Sequence, residues 1–333
     1  MLRVGLIGLG GIAKAHLKGL AIMEAEGVAR CVAATDLVEA LRTKHQQEWK
    51  IPKVYDHHTK LLADPDVDAV AVILGHHLHA PLVIDSLNAG KPTFVEKPMA
   101  ISLDECDAMI EAEQKSGKIL QVGFTGRFHP ACRKAREILD TNELGPVIHA
   151  VSTMSKPFNY KSRRYQDRTR AIGGGMWLGN GVHVVDWLTH CIGSKAVSVK
   201  AKLGTHMHYM HGDDTGTAFI QYANGLAGMA VAIGTKRGVE KTMVEAHCVD
   251  GQINYSVRGS LEIGQDGKWR PVEHDGKDGF AEQYRHFAQA IRMNLRPQTS
   301  SWYGRHIMEI LFAAEASSVT GREVQLTGAH EPW

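Results

Sequence analysis

The chain is poor in the features that would tie it to an oxidising or a membrane setting. Its 333 residues include five cysteines, Cys31, Cys106, Cys132, Cys191 and Cys248, which are odd in number, widely scattered and without a Cys-x-x-Cys. That pattern offers no disulfide framework or zinc spacing, and reduced, packed thiols are expected. No uninterrupted apolar run approaches the roughly 20 residues of a membrane span. The first residues enter a strand without the basic and apolar regions of a secretory signal, so a cytoplasmic location is expected. Charge of either sign is not in excess: 38 Lys and Arg against 36 Asp and Glu leave +2, and no global field points to nucleic acid or to a membrane surface. Internal repeats and low-complexity segments are missing too. What is present is 44% hydrophobic residues, enough for substantial cores, on a length that suits two domains of about 100–200 residues each.

From Met1 to about Val122 the pattern alternates strand and helix. Strands are expected at Val4–Ile7, Val28–Thr35, Val67–Leu74, Thr93–Val95 and Ile119–Val122. Helices are expected to about Glu24 and at Leu37–Trp49, Ala80–Asn88 and Leu103–Lys115. Near-continuous apolar strands separated by helices imply an α/β, doubly wound parallel sheet covered on both faces. Beyond Arg127 come a helix near Pro130–Asp140, a strand Val147–Met154, a long polar loop and a helix near Met176–Cys191. Strand-like runs then follow at 196–203, 216–222, 226–233, 242–249 and 252–256, with turns such as Ala223-Asn-Gly225. Such spacing describes an α+β domain with a large, mostly antiparallel open sheet. The expected division is 1–123 and 124–333, with a last helix, 302–320, able to return to the first domain.

Gly8-Leu9-Gly10-Gly11-Ile12-Ala13 is G-x-G-x-x-A at the turn from a buried strand into a helix, the context in which this pattern binds a dinucleotide. Gly8 permits the turn, Gly10 lets backbone N–H groups approach a pyrophosphate, and Ala13 lets the helix lie close to the sheet with its N-terminus toward the negative charge. The second strand ends at Asp36. A carboxylate there accepts hydrogen bonds from ribose hydroxyls and repels a 2′-phosphate, which favours NAD over NADP.

Glu96-Lys97-Pro98 follows a buried strand at the carboxyl edge of the sheet, where doubly wound folds bind ligands. Pro98 biases Lys97 away from helical geometry, and a lysine there can stabilise the alkoxide that forms during hydride transfer. Gly173-Gly-Gly-Met-Trp-Leu-Gly-Asn-Gly-Val-His-Val-Val-Asp186 opens a helix and sets His183 and Asp186 three residues apart on one face. Histidine titrates near neutrality and suits the removal of a hydroxyl proton.

These residues resemble the glucose-fructose oxidoreductase, inositol dehydrogenase and rhizopine catabolism (Gfo/Idh/MocA) family of NAD(P)-dependent oxidoreductases, and the resemblance covers essentially the whole chain. It rests on the glycine loop, His79 in His76-His-Leu-His79, Ala89-Gly-Lys-Pro92, Glu96-Lys97-Pro98, Gln121 to Pro130 including Arg127, and the Gly173 to Asp186 motif. It implies a Rossmann domain followed by an α/β domain whose open sheet makes the oligomer interface, in a homodimer or homotetramer. It further implies Lys97 and His183 as the catalytic pair and Asp36 as the ribose anchor. The cofactor would contact Gly8, Gly10, Gly11, Ile12, Leu74, His76, His79 and Glu96 as well as Lys97. Substrate contacts would involve Arg127, Tyr160, Arg163, Arg164, Asn180 and His183. Two departures stand out. Gly179 occupies the position, four before His183, where many sugar and cyclitol dehydrogenases of the family carry Asp, so either Asn180 supplies a neutral contact or the substrate is not a standard polyol. Leu74-Gly75 replaces a common Thr-Pro.

The segment Lys156 to Arg170 carries six basic residues against Asp167 alone, with Phe158, Tyr160 and Tyr165 interleaved. Ahead of the catalytic helix it either binds an anionic group on the substrate or is a solvated or inter-subunit loop. His206, His208 and His211 beside Asp213 and Asp214 have the residue types of a metal site, yet they sit where a strand runs into a turn and the family chemistry needs no metal, so none is assigned. The expected function is NAD-dependent hydride transfer at a hydroxyl carbon of a sugar, cyclitol or related polyol. The alternatives are a cis-dihydrodiol dehydrogenase acting on a carboxylated aromatic diol, a glycosidase- or lyase-like enzyme that uses NAD transiently, and a non-enzymatic nucleotide sensor. Retention of both Lys97 and His183 speaks against the sensor.

Overall fold

In the computed structural model, residues 1–158, 169–208 and 210–327 are described. The chain divides into two units: Met1–Thr125 with Lys277–Arg305, and Gly126–Gly276 with residues from His306 onward.

The first unit opens with β1 (Leu2–Ile7), α1 (Ala13–Ala25), β2 (Ala29–Thr35), α2 (Glu39–Trp49), β3 (Lys53–Tyr55), α3 (His58–Leu62), β4 (Ala69–Val72), α4 (His79–Asn88), β5 (Thr93–Glu96), α5 (Leu103–Ser116) and β6 (Leu120–Gly123). The strands form one six-stranded parallel sheet in the order β3-β2-β1-β4-β5-β6. That is the dinucleotide-binding order, in which the direction of strand addition reverses beside β1. Ile7 lies level with Thr35 on one side and Val72 on the other, so the ends of β1, β2 and β4 come to one edge. Val4, Leu6, Ala69, Ala71 and Phe94 are fully buried, as strands covered on both faces require. The three-residue β3 and short α3 were not expected.

The second unit holds α6 (Pro130–Thr141), β7 (Val147–Pro157), a π turn (Trp177–Gly181), α7 (Val182–Ile192), β8 (Ala196–Gly204), β9 (Thr215–Tyr222), β10 (Ala227–Thr235), β11 (Lys241–Cys248), β12 (Gly251–Tyr255), β13 (Leu261–Gln265) and β14 (Lys268–Pro271). Its nine-stranded sheet runs β14-β13-β12-β11-β7-β10-β9-β8-β15, with β15 at Val324–Gln325. The β10–β7 pair is parallel and the other pairs are antiparallel. α7 packs on β7 and β10, and the strict alternation of buried and exposed residues along β9 leaves the opposite face open. Asp266 and Gly267, both with positive φ, turn β13 into β14, a hairpin beyond the strands expected from the sequence.

The return to the first unit is made by Lys277–Arg305, which contains α8 (Gly279–Met293). The helix expected at 302–320 is α9 (Ser301–Thr320), which contributes its residues up to Arg305 to the first unit and those from His306 to the second. Asp278 caps α8, its side chain accepting from the N–H groups of Phe280 and Ala281. Ala281, Tyr284 and Phe287 join the core formed by Val4, Leu6, Leu17, Leu20 and Phe94. α1 meets α8 at Gly19, where an added Cβ would fall 2.9 Å from the Phe280 backbone.

All five cysteines are unpaired thiols, and burial pushes Cys31, Cys132 and Cys191 up to about 12, the range of inert packed groups. Among the described residues no helix is long and apolar enough to cross a membrane.

Candidate active site

In the first unit the glycine loop is shaped by two different demands. Gly8 has φ +106°, and a Cβ there would lie 2.7 Å from the Leu74 side chain and 2.8 Å from the Ile73 carbonyl, so the fold itself requires this glycine. Gly10 and Gly11 are otherwise: nothing lies within 4 Å of an added Cβ at either. The protein leaves a cradle there that neither packing nor φ explains, and it opens directly ahead of α1, whose N-terminus has no side-chain cap. A pyrophosphate fits that arrangement of free space and backbone N–H groups.

Asp36 closes one side of the loop. Its Oδ2 accepts the Leu9 N–H at 2.8 Å and its Oδ1 the Val38 N–H at 2.9 Å, and Arg42 Nη1 donates to the Asp36 carbonyl at 2.7 Å. The carboxylate is therefore held in place, with acceptor capacity left on each oxygen for ribose hydroxyls. Ile12, in the loop, and Leu37, next to Asp36 in the chain, are 41% and 80% exposed.

Across the sheet edge, Leu74 and His76 are half-buried in the turn after β4. His79, expected to touch the cofactor, is instead fully buried. Its Nδ1 lies 2.9 Å from the Pro98 carbonyl and its Nε2 3.3 Å from that of Leu74, so the ring ties the Pro98 turn to the end of β4, and burial holds it below the usual imidazole range. Glu96 is likewise buried. Its Oε1 is 3.0 Å from His16 Nε2 and its Oε2 accepts the Lys97 N–H at 3.1 Å. Burial favours its neutral form, but the His16 hydrogen bond and the charge of Lys97 outweigh it and hold the carboxyl below the usual range. Lys97 itself is half-buried, joined to Pro98 by a cis peptide bond. This unit thus brings the glycine cradle, the Asp36 carboxylate and the Lys97 turn to the carboxyl edge of one sheet.

In the second unit the His183 helix starts on a pinned turn. Gly173 and Gly175 have φ +89° and +108°, and a Cβ at Gly175 would fall 2.7 Å from Asp213 Oδ2. Asp213 takes up the first amides: its carbonyl accepts the Met176 N–H at 2.9 Å and its Oδ1 the Trp177 N–H at 2.5 Å. Burial pushes this carboxyl up to about 6, against the Trp177 bond that lowers it. The helix expected from Met176 begins as a π turn, whose wider winding breaks the 3.6-residue bookkeeping that set Gly179 and Asn180 beneath His183. Both are half-buried. The buried Trp177 indole sits where side chains at Gly181 and Gly216 would intrude, at 2.8 and 2.4 Å from a built Cβ, and donates to the Leu311 carbonyl at 3.2 Å.

His183 is half-buried in the first turn of α7. Its ring stacks on Trp187, centroids 5.6 Å apart and planes at 22°. Asp186, three residues on, is fully buried and accepts from Arg127 Nε at 2.7 Å. That overturns the expectation for Arg127: at 7% exposure this guanidinium neutralises a buried carboxylate beneath the helix rather than reaching substrate. Tyr160, Arg163 and Arg164 lie outside the described residues. Asp214 accepts the N–H groups of His206, Met207 and His208, which accounts for the histidine-rich turn structurally. Among the described residues no group of three or more His, Cys, Asp or Glu could hold a metal.

Known protein families match both halves of the chain. Residues 2–124 match the oxidoreductase family with an NAD-binding Rossmann fold, and residues 132–254 match the GFO/IDH/MocA C-terminal domain. The scyllo-inositol 2-dehydrogenase (NAD(+)) of Bacillus subtilis is 27% identical over 97% of this chain and 96% of its own. The 1-carboxy-3-chloro-3,4-dihydroxycyclohexa-1,5-diene dehydrogenase of Comamonas testosteroni is 29% identical over 68% of this chain and 56% of its own length. A levoglucosan dehydrogenase solved in complex with NADH shares the fold with a TM-score of 0.90 at 22% identity, covering 98% of this chain and 99% of that one. The chain belongs to the GFO/IDH/MocA family of NAD-binding oxidoreductases.

Proposed function

We propose that this oxidoreductase acts on a ring-borne secondary hydroxyl of a cyclitol or sugar, with His183 as the base and Lys97 as the cation at the reacting oxygen. The Lys97 turn carries the reading: a half-buried lysine, backed by a buried carboxylate, at the same sheet edge as the Gly10–Gly11 cradle. When bound, NAD supplies the acceptor for the hydride that leaves the carbinol carbon. His183 takes the hydroxyl proton, and the Lys97 ammonium holds the oxygen as its charge grows. The reverse reduction uses the same two groups. Gly8, Gly10, Gly11, Ile12, Asp36, Leu74 and His76 are assigned to the cofactor and Asn180 to the substrate, in a cytoplasmic enzyme.

A second substrate class, a carboxylated cyclohexadiene diol, is favoured by the name of the Comamonas relative, by Gly179 in place of an acid and by the basic run with Tyr160, Arg163 and Arg164. Measuring NADH formation over inositols, hexoses, uronic acids and carboxylated dihydrodiols separates the two. Turnover confined to the carboxylated diols would replace the cyclitol reading, and product release with no NADH accumulating would move the protein to transient oxidation chemistry. No reaction with any hydroxyl compound would sink both.

Asp36→Ala should weaken NAD binding and narrow its preference over NADP, because the repulsion of a 2′-phosphate goes with the carboxylate. Native protein that binds NADP more tightly than NAD in a fluorescence titration would refute this assignment.

The open face of the large sheet supports a homo-oligomer. Phe219 and Met229, cross-strand partners, are 43% and 37% exposed, and Met229 is also level with Val151. Light scattering should give a dimer or tetramer, and Phe219→Glu with Met229→Glu should shift it toward monomer. A monomeric native chain would remove the interface.

A further inference from the structure

We propose that His16 is a positioning residue for Lys97: pinned by Tyr284, it orients the Glu96 carboxylate that fixes the Lys97 backbone, and so ties the helix of the glycine loop to the lysine. The proposal rests on the role assigned to Lys97 above.

His16 is fully buried one turn into α1. Its Nδ1 is 2.9 Å from the Tyr284 hydroxyl and its Nε2 3.0 Å from Glu96 Oε1, while the other oxygen of Glu96 accepts the Lys97 N–H at 3.1 Å. An ionised carboxylate only accepts, so Nε2 carries the hydrogen of that contact, and the Tyr284 hydroxyl can donate to Nδ1. The result is a directed chain, Tyr284 to His16 to Glu96, that ends on the lysine backbone. The ring has no freedom to turn, since Phe94, Phe280 and Tyr284 meet it edge-on at centroid distances of 5.7, 5.2 and 5.8 Å. Gly123 leaves room for this carboxylate, since a Cβ there would lie 3.2 Å from Oε1 and 2.7 Å from the Phe94 ring.

A purely structural network would serve stability alone, but this one terminates at the residue assigned to the developing alkoxide. It also keeps a negative charge beside that residue. Three segments far apart in the chain, α1, the end of β5 and α8, contribute one group each. Small displacements of a preorganised cation are costly to rate and nearly silent in binding.

The test uses His16→Leu, His16→Gln, Tyr284→Phe, Lys97→Met and the His16→Leu/Lys97→Met pair, on the hydroxyl compound with the highest kcat/KM in the screen above. His16→Leu should lower kcat by about 10–100-fold with KM and the NADH dissociation constant within about three-fold of native. His16→Gln should restore kcat to within about three-fold, because a glutamine amide can donate to Glu96 and accept from Tyr284. Tyr284→Phe should fall between them. On the Lys97→Met background His16→Leu should add nothing. Without substrate or NAD, the ¹³C-methyl resonance of reductively methylated Lys97 should shift in His16→Leu and return in His16→Gln. Equal kcat in His16→Leu, His16→Gln and native protein overturns the proposal, as does full additivity in the pair or a loss confined to NADH binding. If His16→Leu does not fold, native kcat and an unmoved Lys97 resonance in Tyr284→Phe overturn it. A Lys97→Met variant as fast as native protein would instead defeat the reading of Lys97 itself.

Discussion

His183→Ala should cut turnover by roughly 10²–10⁴, the usual contribution of a positioned general base, while the NADH dissociation constant stays near native. The dissociation follows from where the residue sits. His183 belongs to the second unit, on a helix whose start is held by Asp213 and Trp177 and whose next turn is held by the Arg127–Asp186 pair. Removing one half-buried ring that stacks on Trp187 takes away the proton acceptor without loosening those anchors. The glycine loop and Asp36 belong to the first unit. In the native enzyme alcohol oxidation should quicken with rising pH as the imidazole becomes able to accept a proton, and in the variant that rise should flatten. A variant that keeps both rate and pH profile would take His183 out of the chemistry.

Lys97→Met should lower kcat by roughly 10²–10³, since a preorganised cation at a developing oxyanion is worth about 3–4 kcal/mol. Methionine keeps the length and removes the charge. Because the backbone N–H of residue 97 still donates to Glu96, the turn should stay in place, and NAD affinity should remain within a few-fold of native. Calorimetry showing lost NAD binding, with hydride transfer still fast in a single turnover at saturating NAD, would make Lys97 a cofactor ligand and leave the oxyanion without its proposed partner.

The parts of the site that sequence made legible are those where one local rule decides the structure. Strand, glycine loop and helix from Leu2 to Ala25 follow from apolar alternation and the backbone demands of Gly8, and Asp36 falls at the end of β2 because the strand ends there. Burial was what sequence could not supply. Arg127 and His79 carry the side chains of ligand-binding residues, yet each is enclosed and occupied by a partner distant in the chain, Asp186 and Pro98. The link from His16 to Glu96 spans 80 positions and Tyr284 is 268 from His16, beyond any periodicity. α8 could have been found. Asp278 stands at its N-cap, and Ala281, Tyr284 and Phe287 recur at helical spacing. The charged residues between them diluted the pattern. The π turn has no comparable signature: the Trp177 indole lodges against Gly181 and Gly216, and Gly216 is far away in the chain.

Because Ala281, Tyr284 and Phe287 complete a core otherwise drawn from the first hundred residues, the order of synthesis matters to this chain. A ribosome that has just finished the strands of the parallel sheet has yet to make the helix that seals it. At about 5–20 residues per second the delay between Thr125 and Arg305 is roughly 10–35 s. Throughout that interval the apolar flank of α1 and the Phe94 ring lack the cover of Ala281, Tyr284 and Phe287, while the segment carrying β7 to β14 emerges. The nucleotide-binding half, first to be translated, is therefore completed only after the strands from β7 to β14 have been made.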